Sequence, residues 1–290
     1  MGDIQTAGRV VVGTDGSPTA RHATDWAAVV AMSRSVPMLL VSVVSPQSRL
    51  SWMSSSAEEH RAEAIAEAEQ LLEAESAHIK ESHPELALET AVLEGSRAEV
   101  LVAATRDAEL VVVGARGQSA SFGVRTLGGF SDAVATHAEG PVAIVPEGAT
   151  DHDGPIVVGV DDAPEARAAI RLAFEIAQRT KRHLVAYHAY QIVVSRSRYH
   201  TPTPAEREAE LAVEVDAIVE PIAADFTEVA WERRIVEHHP VWGVVEESKT
   251  ASVVVLGSRG RGGFASMLLG STSREVLRNA HCPVFVVRAV

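Results

Sequence analysis

Apolar and polar positions fall along this chain in two kinds of block. Short, nearly unbroken runs of Val, Leu and Ile alternate with longer stretches in which apolar residues recur every three or four positions. The first kind predicts strands buried on both faces, and the second predicts amphipathic helices. Strands are expected at 10–14, 38–44, 86–93, 109–113 and 141–145. Between them, "AEEHRAEAIAEAEQLLEAESAHI" (57–79) places Ile65, Ala68, Leu72 and Ile79 at helical spacing. Ser17 and Pro18 read as an N-cap and a first-turn proline, Ser96 with Glu99 as a capping box, and 131–138 as a helix.

The same order then recurs, with strands near 156–160, 184–189, 229–236, 252–256 and 284–287. "RVVVGTDGSPTARHATDWAA" (from 9) matches "PIVVGVDDAPEARAAIRLAF" (from 155). "AELVVVGARGQ" (from 108) matches "ASVVVLGSRGR" (from 251), and "HAEGPVAIVPE" (from 137) matches "NAHCPVFVVRA" (from 279). The offsets of 146, 143 and 142 residues keep one order at nearly one spacing, which marks two copies of a single unit. The polar stretch "EGATDHDG" (147–154) reads as the linker, so domains are expected at 1–148 and 153–290. Alternating β and α blocks with apolar strands predict an α/β fold: two tandem doubly wound parallel five-stranded sheets with helices on both faces.

Composition narrows the function. The 290 residues are 46% hydrophobic, enough for two cores, and carry a formal net charge of −13. That charge argues against nucleic acid, whose sequence-independent grip needs a basic face, and against an acidic membrane surface. One cysteine, Cys282, excludes an intrachain disulfide framework and fits a reducing, cytoplasmic setting. No apolar leader opens the chain, and no run is long enough to span a bilayer. Cys282 itself reads as a small buried residue at a strand start, and His238-His239 as a solvated turn before Pro240.

Candidate chemistry gathers in two loops of each copy, beyond strands one and four. In a doubly wound sheet these flank the switch point where ligands bind. An aspartate follows strand one in both: Asp15 in "GTDGSP" and Asp161 in "GVDDAP". Such a carboxylate either meets a ribose or hydrated metal ion, or only caps the next helix. After strand four of the second copy runs "GSRGRGGFASMLLGS" (257–271). Gly257, Gly260 and Gly270 let backbone amides approach an anion. Ser271, Thr272 and Ser273 add hydroxyls at a helix start, and Arg259, Arg261 and Arg274 make the neighbourhood basic. The alternative is a glycine turn with an ordinary capping box from Thr272 to Glu275. "GRGGFA" (260–265) fits the dinucleotide fingerprint only by coincidence, because it follows the fourth strand instead of the first. No P-loop, no GxSxG elbow and no HExxH is present, and no acid–base pair stands out.

The strand-terminal aspartate together with Gly-x2-Gly-x9-Gly-Ser (Gly257, Gly260, Gly270, Ser271) resembles the universal stress protein family in its ATP-binding branch. The likeness covers almost the whole chain as two tandem copies, an arrangement similar to that of actinobacterial members. It implies strand order 3-2-1-4-5 and pairing through the fifth strands, within one chain or in a homodimer. It implies ATP with Mg2+, its phosphates and ribose on Gly257, Gly260, Gly270, Ser271 and Thr272, with Asp161 by the nucleoside and the Ala189 backbone by the adenine. It also implies a cytoplasmic regulator or sensor in the stress response, with an unidentified regulatory partner and at most slow ATP hydrolysis or autophosphorylation. Rival readings are a nucleotide-free interaction protein and a hydrolase on a related fold. The latter fits poorly, because "TDGSP" and "VDDAP" replace the Ser-Gly-Gly-x-Asp-Ser loop of such enzymes.

The first copy departs from the pattern. Asp15, Val43, Gly114 and Gly117 match, but ten residues separate Gly117 from Gly128, and Gly129 and Phe130 stand where Ser and Thr are expected. A lost hydroxyl removes roughly 0.5–1.5 kcal/mol, about 3 with a charged acceptor. Ser131 is expected to compensate in part.

Overall fold

The computed structural model describes residues 5–45, 56–117, 127–149, 153–191, 203–260 and 268–289. The chain divides into two compact units, Met1–Ala149 and Thr150–Val290. In the first, the order is β1 (Val10–Gly13), α1 (Pro18–Arg34), β2 (Met38–Val44), α2 (Ser56–Ser82), β3 (Leu88–Glu94), α3 (Arg97–Ala104), β4 (Leu110–Gly114), α4 (Gly129–His137) and β5 (Val142–Val145). In the second, it is β6 (Ile156–Gly159), α5 (Pro164–Thr180), β7 (Leu184–Tyr190), α6 (Pro204–Ala223), β8 (Trp231–Glu237), α7 (Pro240–Glu247), β9 (Val253–Gly257), α8 (Ser271–Asn279) and β10 (Val284–Val287).

Each unit is a parallel five-stranded sheet. The first runs β3-β2-β1-β4-β5 and the second β8-β7-β6-β9-β10, both the expected 3-2-1-4-5. That order dictates the layering. The chain crosses in one direction through α1 and α2, then reverses through α3 and α4. Right-handed crossovers therefore put the first pair on one face and the second on the other. Packing agrees: α1 lies against α2 and α3 against α4, as α5 does against α6 and α7 against α8.

The cores follow from the apolar blocks. Val10, Val11 and Val12 of β1 and Leu110 to Val113 of β4 are fully buried. On α1, Ala20, Ala23, Ala27 and Ala31 form a flat small-residue stripe that lets the helix lie close over them. The second unit keeps that stripe as Ala166, Ala169, Ala173 and Ala177, and places Phe174 where the first has Ala28; Phe174 stacks on Phe226 with centroids 5.4 Å apart. Strands β3 and β8 start two residues later than the hydrophobic runs suggest. Leu86 and Val229 are buried, but their N–H groups close turns onto His83 and Phe226 (3.1 and 2.9 Å), so apolar character here marks a plug and not a strand.

Two helix starts also differ from expectation. Ser96 is the N-cap of α3 but makes no side-chain cap bond, so the Ser96–Glu99 box does not form. A full capping box exists instead between Thr203 and Glu206 at α6, where both reciprocal bonds are present. Ser17 does cap α1, accepting from the Ala20 N–H at 3.2 Å.

Candidate functional site

Neighbouring β1 and β4 send their chains to opposite faces, and so do β6 and β9, which opens a crevice at the carboxyl end of each sheet. Asp15 and Asp161 stand there in one geometry. Asp15 Oδ1 accepts from the Ser17 N–H at 3.1 Å, and Asp161 Oδ1 accepts from the Ala163 N–H at 3.1 Å. One carboxylate oxygen thus shapes the turn, while the N-caps are Ser17 and Ala163. The other oxygen faces the opposite loop. A Cβ added at Gly117 would lie 2.6 Å from Asp15 Oδ2, and one at Gly260 would meet Asp161 Oδ2 more closely still. Only glycine lets these loops approach so closely.

In the second unit the glycine loop is stitched at both ends. The Gly270 N–H donates to the Ser258 carbonyl at 2.7 Å, and the Ser273 hydroxyl donates to the Gly257 carbonyl at 2.7 Å. The amide of Gly270 and the hydroxyl of Ser273 are therefore committed to the backbone, not open to an anion. Ser271 and Thr272 occupy the first turn of α8 with exposed side chains. The N-cap is Gly270 and makes no side-chain bond, so the Thr272–Glu275 capping box does not form and the first-turn amides carry no such cap.

The basic neighbourhood is also quieter than the sequence suggests. Arg259 Nε donates to Glu165 Oε1 at 2.7 Å, and a second guanidinium nitrogen reaches the same oxygen. Glu165 is only 3% exposed, in the first turn of α5, and it touches Gly257 as well: a Cβ there would lie 3.0 Å from Glu165 Cβ. This carboxylate, which sequence reasoning missed, ties the loop to α5. Its trace in the sequence is an acid one residue after the helix-opening Pro164, a position where Asp and Glu are common for dipole reasons alone. Arg261 lies outside the described residues.

Asp161, Ala189, Gly257, Gly260, Gly270, Ser271 and Thr272 all line one cavity of about 460 Å3. His188, whose Nδ1 sits 2.8 Å from the Val160 carbonyl, and Tyr187 join them unforeseen. Burial, with Glu247 nearby, pushes the Tyr187 phenol above its ordinary pKa and keeps it protonated.

In the first unit Asp15, Val43, Gly114, Gly117, Gly128 and Ser131 line a cavity of about 800 Å3. Ser131 does not stand in for the missing hydroxyls. Its Oγ donates to the Gly114 carbonyl at 2.6 Å, the bond Ser273 makes to Gly257, so it is the counterpart of Ser273. Gly129 and Phe130 occupy the places of Ser271 and Thr272, and Phe130 lines the cavity. Arg116 pairs with Glu147 at 2.9 Å, and Thr19 holds the position of Glu165.

Elsewhere, Cys282 is fully buried just ahead of β10, and burial pushes its thiol up to about 12. His239 caps α7, its Nδ1 accepting from the Val241 N–H at 3.3 Å, while His238 is exposed. Among the described residues no group of three or more His, Cys, Asp or Glu could hold a metal ion, and no helix could cross a membrane.

Comparison with known proteins decides the family. The family model described as "Universal stress protein family" matches residues 6–146 and again 154–288. This chain belongs to the universal stress protein family. A universal stress protein of Mycobacterium tuberculosis is 33% identical over 310 residues, covering 99% of this chain and 97% of the relative. Another, from Mycolicibacterium smegmatis, is 33% identical over 290 residues, with 96% of each covered. The crystal structure of a universal stress protein from Archaeoglobus fulgidus DSM 4304 matches the fold with a TM-score of 0.74 at 21% identity, covering 98% of this chain and 99% of that one. The tandem organisation is therefore shared along the full length, and two stress-protein domains account for almost every described element.

Proposed function

We propose that the second unit binds ATP with Mg2+, and that the protein acts as a nucleotide-dependent regulator or sensor in the stress response. The observation that carries this reading is the meeting of Asp161, Gly260, Ser271 and Thr272 on one cavity. A volume of about 460 Å3 lies within the usual range for small-molecule sites. The residues fit the ligand. Gly257, Gly260 and Gly270 keep the loop free of side chains, and two exposed hydroxyls stand beside first-turn amides at the positive end of α8. Asp161 suits a ribose hydroxyl, and the β7 end around Ala189 suits an adenine edge read by backbone atoms.

The reading includes at most slow ATP hydrolysis or autophosphorylation. The same proposal takes 1–148 and 153–290 as the domains, places the protein in the cytoplasm, and includes association through the fifth strands and a regulatory protein partner. The deciding experiment is the nucleotide content of freshly purified protein, released by heat and identified by chromatography. About one ATP per chain is expected. No nucleotide, with no uptake on adding ATP and magnesium, would overturn the reading in favour of a nucleotide-free interaction protein.

A further inference from the structure

The two units hold their long second helices by different means. On α6 the buried stripe is Leu211, Val215, Val219 and Ile222, all apolar. On α2 it is Ala68, Leu72, Glu75 and Ile79, so a methyl group takes the first place and a carboxylate the third. Glu75 is fully buried. Arg21 of α1 answers it with Nε and a terminal nitrogen, at 2.9 and 2.5 Å, but both bonds fall on Oε1. Oε2 is buried and has no hydrogen-bond partner among the described residues. Three residues on, His78 Nε2 lies 2.9 Å from Asp25 Oδ1, a second polar contact between α2 and α1. The second unit keeps its arginine–carboxylate pair, Arg171 with Asp225 at 2.8 Å, in a wetter place: Asp225 lies past the end of α6, and both side chains are half-exposed.

A buried carboxylate with one oxygen unmatched carries a desolvation cost that a single guanidinium only partly offsets. Swinging α2 outward lets water reach Oε2 and recovers that cost, whereas lifting α6 only exposes apolar surface. The same helix walls the first crevice. Ala64, Ala68 and Leu71 line its cavity, and Leu71 lies over the turn after Asp15, where a Cβ added at Gly16 would be 2.8 Å from Leu71 Cδ1. We infer that α2 is the moving wall of the first crevice, and that the Arg21–Glu75 pair is the latch that sets how often it opens. The matching helix α6 is a fixed wall. The latch is independent of what either crevice binds.

Amide hydrogen exchange of the full chain, followed by mass spectrometry, tests this. In the parent, protection factors across 64–79 should be at least about tenfold lower than across 211–222, the scale set by one unmet acceptor. Glu75→Leu should raise protection of α2 about tenfold, and Arg21→Gln should lower it by a similar factor, with α6 unchanged in both. A bond that served stability alone would give the opposite sign for Glu75→Leu. The opening itself is read from maleimide labelling of the Ala68→Cys variant, because the native Cys282 is fully buried. Adding Glu75→Leu should slow that labelling about tenfold. Protection in α2 equal to that in α6, a Glu75→Leu chain that unfolds or exchanges faster in α2, or labelling indifferent to Glu75→Leu would each overturn the inference.

Discussion

The two units show how one fold keeps its frame while reallocating its donors. Both stitch the fourth strand to the following helix with a serine hydroxyl on a glycine carbonyl, Ser131 on Gly114 and Ser273 on Gly257. Both hold an arginine in the loop by a carboxylate. In the second unit that carboxylate is buried Glu165, from the helix beside the Asp161 turn. In the first it is Glu147, from beyond β5, with its side chain 39% exposed. The frame is structural and so is kept. The exposed hydroxyls of Ser271 and Thr272 lie outside that frame, so Gly129 and Phe130 take their places with the fold unchanged and alter the groups that line the cavity.

The sharpest break of the comparison is Gly260→Val. Its side chain would collide with the Asp161 carboxylate, and ATP affinity should fall by about a hundredfold or more, with the circular dichroism spectrum unchanged. Gly117→Val makes the matching collision with Asp15 and should leave ATP stoichiometry unaltered. Equal losses of ATP from the two variants would erase the functional difference between the units.

A middle-sized effect concerns the two ion pairs. Glu165→Gln weakens charge-assisted bonds to a buried acceptor. Because the Arg259 side chain is 42% exposed, the cost should be near the lower end of the usual range, about 1.5 kcal/mol, read from urea midpoints. Glu147→Gln removes a more exposed pair and should cost less than about 1 kcal/mol. A larger loss from Glu147→Gln would mean that the two carboxylates have their importance reversed.

The smallest effect involves Cys282, which aligns with Gly140 of the first unit. A Cβ at Gly140 would run into the Thr105 carbonyl, so this thiol belongs to the second unit alone. Its folded pKa of about 12 lies above the ordinary 9.0. The neutral thiol is favoured by folding. That contribution is complete below pH 9 and is lost as pH climbs from 9 towards 12. Thiol reagents at pH 8 should therefore leave the folded protein unmodified and label one group per chain after unfolding. Rapid labelling of the native state would contradict the burial.

Much of this was legible in the sequence because it depends on local period and spacing. Apolar runs of β-branched residues gave the strands to within two residues, and the internal repeat gave the two units. Asp15, Asp161 and the spaced glycines marked the crevice, since the order 3-2-1-4-5 brings those loops together. What only the tertiary structure decided is which polar groups are already spoken for. Ser131, Ser273 and the Gly270 amide look like free donors in a string of letters, yet each bonds a carbonyl between 12 and 17 positions away. Arg259 reads as a bare cation until Glu165, 94 residues earlier, is found beneath it. A hydrogen bond is made by distance in space. Its partner belongs to another strand or helix, so pattern along the chain predicts the scaffold, and packing decides which donors remain for a ligand.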